Sequence, residues 1–432
     1  MSLKDRLGRL TGETAKPLSS DPQEAGISEL RRKLDRAMNR REHTVPADVP
    51  TTRRNVTPLE HVVIGEEVQT PYGNFFVSRS TMNADDVHGR VRICDVACAS
   101  MQAVAFLAGL QMAQDVSLSE GLFLDTETTG LMGGTGTFPF LIGLGWFEAD
   151  SFVTCQLFAR DFSEEGAMLR YLSEVASGKG FLVTFNGKAY DLNLLATRFI
   201  LNRCWDTLTT MPHIDLLHPC RRILAHRLEN ARLSTIERHV LGVERDGDVP
   251  GSEIPQRYFD WLRGRDGRLL GDVFTHNRLD IVSMASLLKY LTDLVEDTQE
   301  MGRSHHGDFL KLAGLIYERG DLEKAGTMLQ ALISSHHTDV AVSARQALSL
   351  IYKKARRREE AAELWQDLVA LDPHDFFAVE ELAKFYEHHT HECGKALQLM
   401  RKLLNEAGCL NDVERVSAEY RLRRLLRKVS SE

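Results

Sequence analysis

The chain lacks long apolar runs. In its 432 residues, no stretch approaches the roughly 20 consecutive apolar residues that a membrane-spanning helix needs. The first residues, MSLKDRLGRLTGETAKP, also lack the apolar centre of a secretory signal peptide. We therefore expect a cytoplasmic protein with no membrane partner.

Cysteine is scarce as well, and acidic residues outnumber basic ones. Seven cysteines in a chain of this length do not form a disulfide framework, and their odd number leaves at least one unpaired. The net charge of −8 counts against a protein that binds nucleic acid through a basic face alone. It is compatible with an enzyme that holds acidic metal ligands. The length exceeds what one hydrophobic core usually organises, so we expect two or three domains.

The domain organisation can be predicted from shifts in composition. Residues 1–55 contain four prolines and little apolar content, which predicts a disordered or partly helical basic arm; its arginines would contact phosphate or simply be solvated. Residues 56–118 predict a small α+β lead-in subdomain with two strands and a helix. Residues 119–298 give three consecutive strands, then a helix, a strand and a helix. This order predicts an α/β domain whose mixed sheet begins antiparallel and is flanked by helices.

Residues 305–430 are helical and repeat themselves. Tyr317, Tyr352 and Tyr386 are 35 and 34 residues apart, and each repeat carries an aromatic residue on its first helix and a small residue on its second. A helix-turn-helix unit with a period near 34 resembles the tetratricopeptide repeat. The resemblance implies an all-α domain of three units and a last helix. This domain would bind a protein partner.

Two acids stand at the end of an apolar strand in GLFLDTETTG, residues 121–130. Asp125 and Glu127 are two positions apart, so they point to the same face of the strand. Two unpaired carboxylates repel each other and are costly to desolvate, and a cation relieves both problems. Carboxylate oxygens favour Mg²⁺ or Mn²⁺. The alternative interpretation is a pair of solvated or salt-bridged acids at a strand end.

Two later segments add acids and a base. Asp191 follows the turn after the fourth strand, in the first turn of the next helix, where function often lies in α/β sheets. His276 and Asp280 share one helix face in THNRLD. Taken singly, these residues are explained as a helix-start acid, a capping histidine and a surface acid. Together they provide the four acids and the general base that two-metal phosphoryl chemistry needs.

The order of DTETTG, NGKAYD and HNRLD resembles the DEDD exonucleases of the ribonuclease H-like superfamily. Within it, LFLDTETTGLMGGTGTFPFLIGLGWF, IDLLHPCRR, LSTIERHVLGVER and FTHNRLDIVSM resemble the YprB-type ribonuclease H-like domain. The resemblance implies a 3′–5′ exonuclease that acts on DNA or RNA, at a single-stranded end, with two divalent cations. It implies metal ligation by Asp125, Glu127, Asp191 and Asp280, and a general-base role for His276. A catalytically silent nucleic-acid-binding or repeat scaffold is the alternative.

Further residues carry weaker hypotheses. Thr128, Gly133, Gly134 and Asn186 are predicted to contact substrate, although each is also explained as part of a turn. Asp215 is interpreted as a helix-start acid, with a supporting acid as the alternative. The histidine pairs of the helical region are expected to hold no metal, because no convergent partner is evident for them. These pairs are His305–His306, His336–His337 and His388–His389.

Overall fold

The computed structural model describes residues 56–111, 116–130, 136–296, 305–406 and 410–430, so the basic arm predicted at 1–55 lies outside the described residues. The chain divides into two compact units. Of the described residues, the first unit contains those up to Cys98, those from 116 to Asp215, and Val243–Ser286. The second contains Ala99–Gln111, Leu216–Gly242 and the described residues from Leu287 onwards.

The first unit is built on one mixed sheet. Its strands are β1 (Glu66–Thr70), β2 (Gly73–Met82), β3 (Val87–His88), β4 (Val91–Arg92), β5 (Gly121–Thr128), β6 (Pro139–Glu148), β7 (Ser151–Phe158), β8 (Phe181–Thr184) and β9 (His213–Asp215). Seven of them form a sheet in the order β1-β2-β7-β6-β5-β8-β9, while β3 pairs with β4. Neighbours from β1 to β5 are antiparallel, and β8 lies parallel to both β5 and β9. This confirms the mixed sheet that begins antiparallel.

The sheet differs from the sequence interpretation at its two edges. The strands β1 and β2, predicted within a small lead-in subdomain, belong to the main sheet and pair with it through β7. The opposite edge strand, β9, has three residues and was not predicted. Such a short segment shows no hydrophobic alternation from which a strand can be recognised.

The helices follow in chain order. They are α1 (Ile93–Ala97), α2 (Met101–Ala108), α3 (Glu165–Ser177), α4 (Asp191–Leu201), α5 (Leu217–Ile223), α6 (Leu233–Ile236), α7 (Ile254–Gly264), α8 (Gly271–Glu296), α9 (His306–Glu318), α10 (Leu322–Leu332), α11 (Thr338–Lys354), α12 (Arg358–Leu371), α13 (Phe376–His388), α14 (Cys393–Glu406) and α15 (Asp412–Val429). Among the residues that the structure describes, no helix combines the length and apolar character of a membrane span.

Two glycines allow the first half of α8 to pack directly on β6. A Cβ atom on Gly143 would lie 2.3 Å from Asn277 Oδ1, and one on Gly145 would lie 2.4 Å from Ile281 Cγ2. Real Cβ atoms do not tolerate contacts of this kind, so the close approach of helix and strand requires glycine at both positions. The helix is thereby held against the strand that neighbours β5.

Aromatic packing fixes α7 on the same sheet. The Tyr258 ring stacks on Phe140 of β6 with centroids 4.1 Å apart, and its hydroxyl donates to the carbonyl of Ala159 at 3.0 Å. Both rings are fully buried. Aromatic pairs of this kind add to the stability that burial of the rings provides. The loop between α6 and α7, which carries Asp248, is therefore anchored at its C-terminal end.

The second unit contains the helices α9 to α15, and we call it the helical unit. Three helix pairs and a last helix follow one another, as the sequence repeat predicts for an all-α repeat region. Ala325, Ala361 and Ala396 occupy equivalent places on the second helix of each pair, and all three are fully buried. A small residue at these places allows neighbouring helices to approach closely. The assignment to the tetratricopeptide family stays a prediction.

Candidate active site

The first two predicted ligands lie at the end of β5. Asp125 pairs with Gly143 and Glu127 with Leu141 on β6, and the register shifts between Glu127 and Thr128. Such an irregularity re-aims side chains where a strand ends beside a site. Thr128 is still part of the strand, and its hydroxyl donates to the Gly130 carbonyl at 2.8 Å. The sequence interpretation placed Thr128 in a turn. The strand instead extends through Thr128, so the turn begins one residue later.

Asp191 is the first residue of α4, as predicted. Its carboxylate Oδ1 accepts a hydrogen bond from Thr126 Oγ1 of β5. Burial raises the pKa of Asp191 to about 6, although the bond from Thr126 opposes this shift by stabilising the charged form. Thr126 thus connects the third predicted ligand to the strand that carries the first two.

Asp215 supports the loop that leads to Asp191. It is the last residue of β9, and its two carboxylate oxygens accept from the backbone N–H of Asn186 at 2.7 Å and of Lys188 at 3.1 Å. Asn186 has a φ of 67°, a conformation that asparagine tolerates better than most residues. Asp215 therefore ends a strand directly before α5, and its contacts to Asn186 and Lys188 agree with the alternative interpretation of a supporting acid.

The helix α8 brings Asn277 to Asp125, a contact that the sequence interpretation missed. Asn277 is fully buried, and its Nδ2 donates to Asp125 Oδ2 at 2.9 Å. Its Oδ1 accepts from Gln156 Nε2 of β7 at 2.9 Å, which fixes the orientation of the amide. Asn277 lies between His276 and Asp280 in HNRLD, so its spacing within that motif was the signal that could have identified it.

His276 lies among three carboxylates. Its Nε2 is 3.8 Å from Glu127 Oε1 and 3.7 Å from Asp280 Oδ2, as the shared helix face predicted for Asp280. Its Nδ1 is 2.7 Å from Asp248 Oδ1, in the loop between α6 and α7. When Nδ1–H donates to Asp248, Nε2 is the nitrogen able to accept a proton, and it faces Glu127 and Asp280.

Arg245 is a second residue that the sequence interpretation missed. Its guanidinium donates to Asp280 Oδ1, and it also donates to Asp248 Oδ2 at 3.2 Å. Its side chain is only 7% exposed, so these bonds are shielded from water. Arg245 therefore joins Asp280 to the carboxylate that orients His276. Both Arg245 and Asp248 lie in the charged segment GVERDGDVPG, which has no periodicity from which to predict a buried network.

The cluster of acids raises the pKa values of its own members. Burial raises the pKa of Asp125 well above its ordinary value, and the charges of Asp280 and Asp191 raise it further. The pKa of Glu127 is also raised well above its ordinary value, first by burial and then by the charge of Asp125. Asp125, Glu127 and Asp191 therefore share an environment in which their negative charges are poorly compensated, whereas Asp280 is paired with Arg245.

A cleft of about 550 Å³ opens at this cluster. Its lining includes three of the four acids, Asp125, Glu127 and Asp191, and two of the predicted substrate residues, Thr128 and Asn186. Asp280 and His276 are not in the lining. Gly133 and Gly134, the other two predicted substrate residues, lie outside the described residues.

For two histidine pairs of the helical unit, the expectation that no partner residues converge was wrong. His305 and His306 come together with His336 and His337, whereas the sequence interpretation expected no convergent partner for them. The third pair belongs to no group of three metal-type ligands among the described residues; Nε2 of His388 lies 3.4 Å from Glu387 and Nε2 of His389 lies 2.8 Å from Glu359.

Comparison with known proteins gives two findings. A family model described as the RNase_H superfamily matches residues 122–292. A protein of Bacillus subtilis (strain 168), named as the uncharacterized protein YprB, is 36% identical over 315 residues, which cover 72% of this chain and 75% of that protein. The matched range of the family model contains all four acids and His276.

Proposed function

This chain belongs to the RNase_H superfamily, and from this premise we propose that it is a metal-dependent nuclease, a 3′–5′ exonuclease that hydrolyses phosphodiester bonds of DNA or RNA. The observation that carries the proposal is the convergence of Asp125, Glu127, Asp191 and Asp280 with His276, in a cluster of which the first three acids line the cleft. Buried acids with raised pKa values that lie at a cleft are typical of functional sites, because their uncompensated charges favour a bound cation.

The donor set fits two divalent cations, Mg²⁺ or Mn²⁺. The four carboxylates supply only oxygen ligands, which these hard cations prefer. The raised pKa values of Asp125, Glu127 and Asp191 arise from burial and mutual repulsion, which bound cations relieve. When bound, such cations activate water and stabilise the negative charge that develops on the phosphate.

His276 is proposed as the general base. Asp248 accepts from Nδ1–H, which holds the ring in the tautomer whose Nε2 can take a proton from water. Asp248 then also stabilises the imidazolium that forms. Asn277 and Thr126 orient the carboxylates of Asp125 and Asp191, so the ligands are positioned before substrate binds.

The cleft is proposed to take the single-stranded end of the substrate. Thr128 and Asn186 stand in its lining as the contacts to the terminal nucleotide, and the exposed ring of Tyr190 in the same lining offers a surface for base stacking. Gly133 and Gly134 follow Thr128 in the chain and are proposed to let the backbone approach the nucleotide. The helical unit is proposed to bind a protein partner.

Digestion of matched DNA and RNA oligonucleotides tests the proposal. Each single-stranded oligonucleotide carries a label at one end only, and the reaction contains Mg²⁺ or Mn²⁺. We expect stepwise shortening from the 3′ end, which leaves a ladder of 5′-labelled products and requires the cation. Asp125→Asn should abolish this activity, while Asp150→Asn, in the exposed turn between β6 and β7, should not. Activity without a cation, or retained by Asp125→Asn, would overturn the proposal.

One observation favours the alternative of a catalytically silent scaffold. Arg245 already pairs with Asp280, and an arginine on a ligand carboxylate competes with a cation. Calorimetric titration with Mn²⁺ separates the two functions. A nuclease should bind the cation and lose that binding in Asp125→Asn, whereas a scaffold should bind none.

A further inference from the structure

We propose that the helical unit contains a transition-metal site in which His306, His336 and His337 bind Zn²⁺. The site is independent of the proposed nuclease function, because it lies in the other unit and uses nitrogen ligands. One ligand atom from each of these residues lies within 4.8 Å of the others. Three imidazoles with an open fourth position are a ligand set typical of zinc.

The rings already pack against one another. The centroid of His306 lies 5.0 Å from that of His336 and 5.5 Å from that of His337, and the rings of His336 and His337 are 4.2 Å apart. Imidazoles in such contact repel each other when protonated, whereas a metal binds them in the neutral form. The stacking of consecutive helix pairs creates this group, because His306 begins α9 and the other two precede α11.

Only a small adjustment is needed for tetrahedral coordination. Zinc–nitrogen bonds of about 2.0–2.1 Å place neighbouring ligand atoms about 3.4 Å apart, so the rings must converge by roughly 1 Å. His336 and His337 are exposed and lie in the segment between α10 and α11, where rotation of their side chains meets little resistance.

Ser335 provides the supporting contact that metal-bound histidines usually have. Its Oγ is 2.6 Å from His306 Nδ1 and also accepts from the His337 backbone N–H at 3.2 Å. When His306 Nδ1–H donates to Ser335, ligation by His306 uses Nε2, and the ring orientation is fixed. The same hydroxyl therefore positions two of the three ligands.

A neighbouring group of ligand-type residues is less suited to a metal. His226, His305 and Asp308 also have ligand atoms within 4.8 Å of one another. However, both oxygens of Asp308 accept bonds from Arg227, at 2.8 and 2.7 Å, and also from His226 and Tyr290, each at 2.9 Å. A cation would have to displace the buried arginine pair, which is costly. The proposal is therefore limited to the three histidines.

Titration of the full-length chain with Zn²⁺ tests the site. The measurement is competition with a chromophoric chelator in excess Mg²⁺, followed by Co²⁺ substitution, whose visible absorption bands report tetrahedral geometry. We expect one tight equivalent of Zn²⁺ in the wild type. The double variant His336→Gln, His337→Gln should weaken this binding by more than about 100-fold, and Ser335→Ala by about 10-fold.

Three controls locate the metal. The double variant His388→Gln, His389→Gln changes another histidine pair, at the end of α13, and should bind Zn²⁺ as the wild type does. Asp125→Asn with Asp191→Asn, and His226→Gln, should likewise keep the tight equivalent. Failure of the wild type to bind Zn²⁺ tightly would overturn the proposal. So would retained binding in the His336, His337 double variant, or loss of binding in any of the three controls.

Discussion

The backbone of Gly143 lies so close to Asn277 that no residue with a Cβ atom fits at position 143. A Cβ atom on Gly143 would lie 2.3 Å from Asn277 Oδ1, and Asn277 Nδ2 donates to Asp125 Oδ2 at 2.9 Å. The missing side chain on β6 therefore determines where the amide of α8 lies, and the amide orients the proposed metal ligand on β5. Gly143 and Asp125 are also partners across the two strands.

Gly143→Ala should damage both the fold and the site. The new methyl group forces Asn277 or the backbone to move, and overpacking of this kind typically costs about 1–3 kcal/mol. Because Asn277 would no longer orient Asp125, we expect nuclease activity to fall by about 10²-fold, as for a displacement of roughly 1 Å in a catalytic group. Urea unfolding and the labelled-oligonucleotide assay measure the two effects.

Gly314→Ala is the matched control for this change. Gly314 lies in α9, and a Cβ atom there would meet nothing within 4 Å. Alanine is preferred over glycine in a helix, so this variant should gain about 0.5–1 kcal/mol of stability. Equal unfolding midpoints for Gly143→Ala and the wild type would show that Asn277 has room to move, which contradicts the role assigned to Gly143.

Asp248→Asn tests the orientation of His276. The variant keeps the size of the side chain but removes the charge that Nδ1 contacts at 2.7 Å and that would stabilise the imidazolium. We expect the turnover rate to fall by about 10²-fold or more, as is typical when a general base is impaired, while Mn²⁺ affinity changes little. Asp246→Asn, an exposed acid of the same loop, should have neither effect. An unchanged pH–rate profile in Asp248→Asn would remove His276 from its role as base.

Much of this site was predictable because its elements carry local signals. The apolar strand before Asp125, the turn before Asp191 and the helix that carries His276 and Asp280 are each recognisable from periodicity and spacing. The structure brings these elements together in the expected order. The glycines at 143 and 145 were a further signal, since glycine inside an apolar strand often marks close approach of another backbone.

The remaining contacts depend on tertiary structure alone. Arg245 and Asp248 lie in a charged loop whose sequence gives no indication that its side chains are buried against α8. Likewise, His306 begins α9 and His336 lies between α10 and α11, and only the packing of these helices brings their rings together. Local propensity and periodicity do not predict such contacts between distant segments.

The pKa of Asp191 predicts how stability depends on pH when divalent cations are removed by a chelator. Its folded-state pKa of about 6 exceeds its ordinary value of 3.8, so between these values the folded protein holds a proton that the unfolded chain has released. The stability from this group is therefore fully present below about pH 4 and is lost as the pH rises through about 6.

Asp191→Asn isolates this contribution. The asparagine does not titrate, so the variant should gain stability relative to the wild type as the pH rises, by up to about 1.4 kcal/mol per pH unit. Urea unfolding of both proteins at several pH values measures the difference, and Asp150→Asn serves as the control at an exposed turn. A difference that does not change between about pH 4 and about pH 7 would contradict the raised pKa.

Asp308→Ala should strongly destabilise the helical unit. Its carboxylate is fully buried and accepts from Arg227, His226 and Tyr290. Asp308→Ala leaves the guanidinium of Arg227 without its carboxylate partner, and breaking a buried pair in this way typically costs about 3–5 kcal/mol. Asp339→Ala removes an exposed acid from the first turn of α11, where only the helix dipole is affected, so it should cost about 0.3–1 kcal/mol. Thermal melting and urea unfolding measure the stability of both variants. If the two variants lose similar stability, the bonds to Asp308 do not hold α9 in place, and the reason for excluding Asp308 as a metal ligand would also fail.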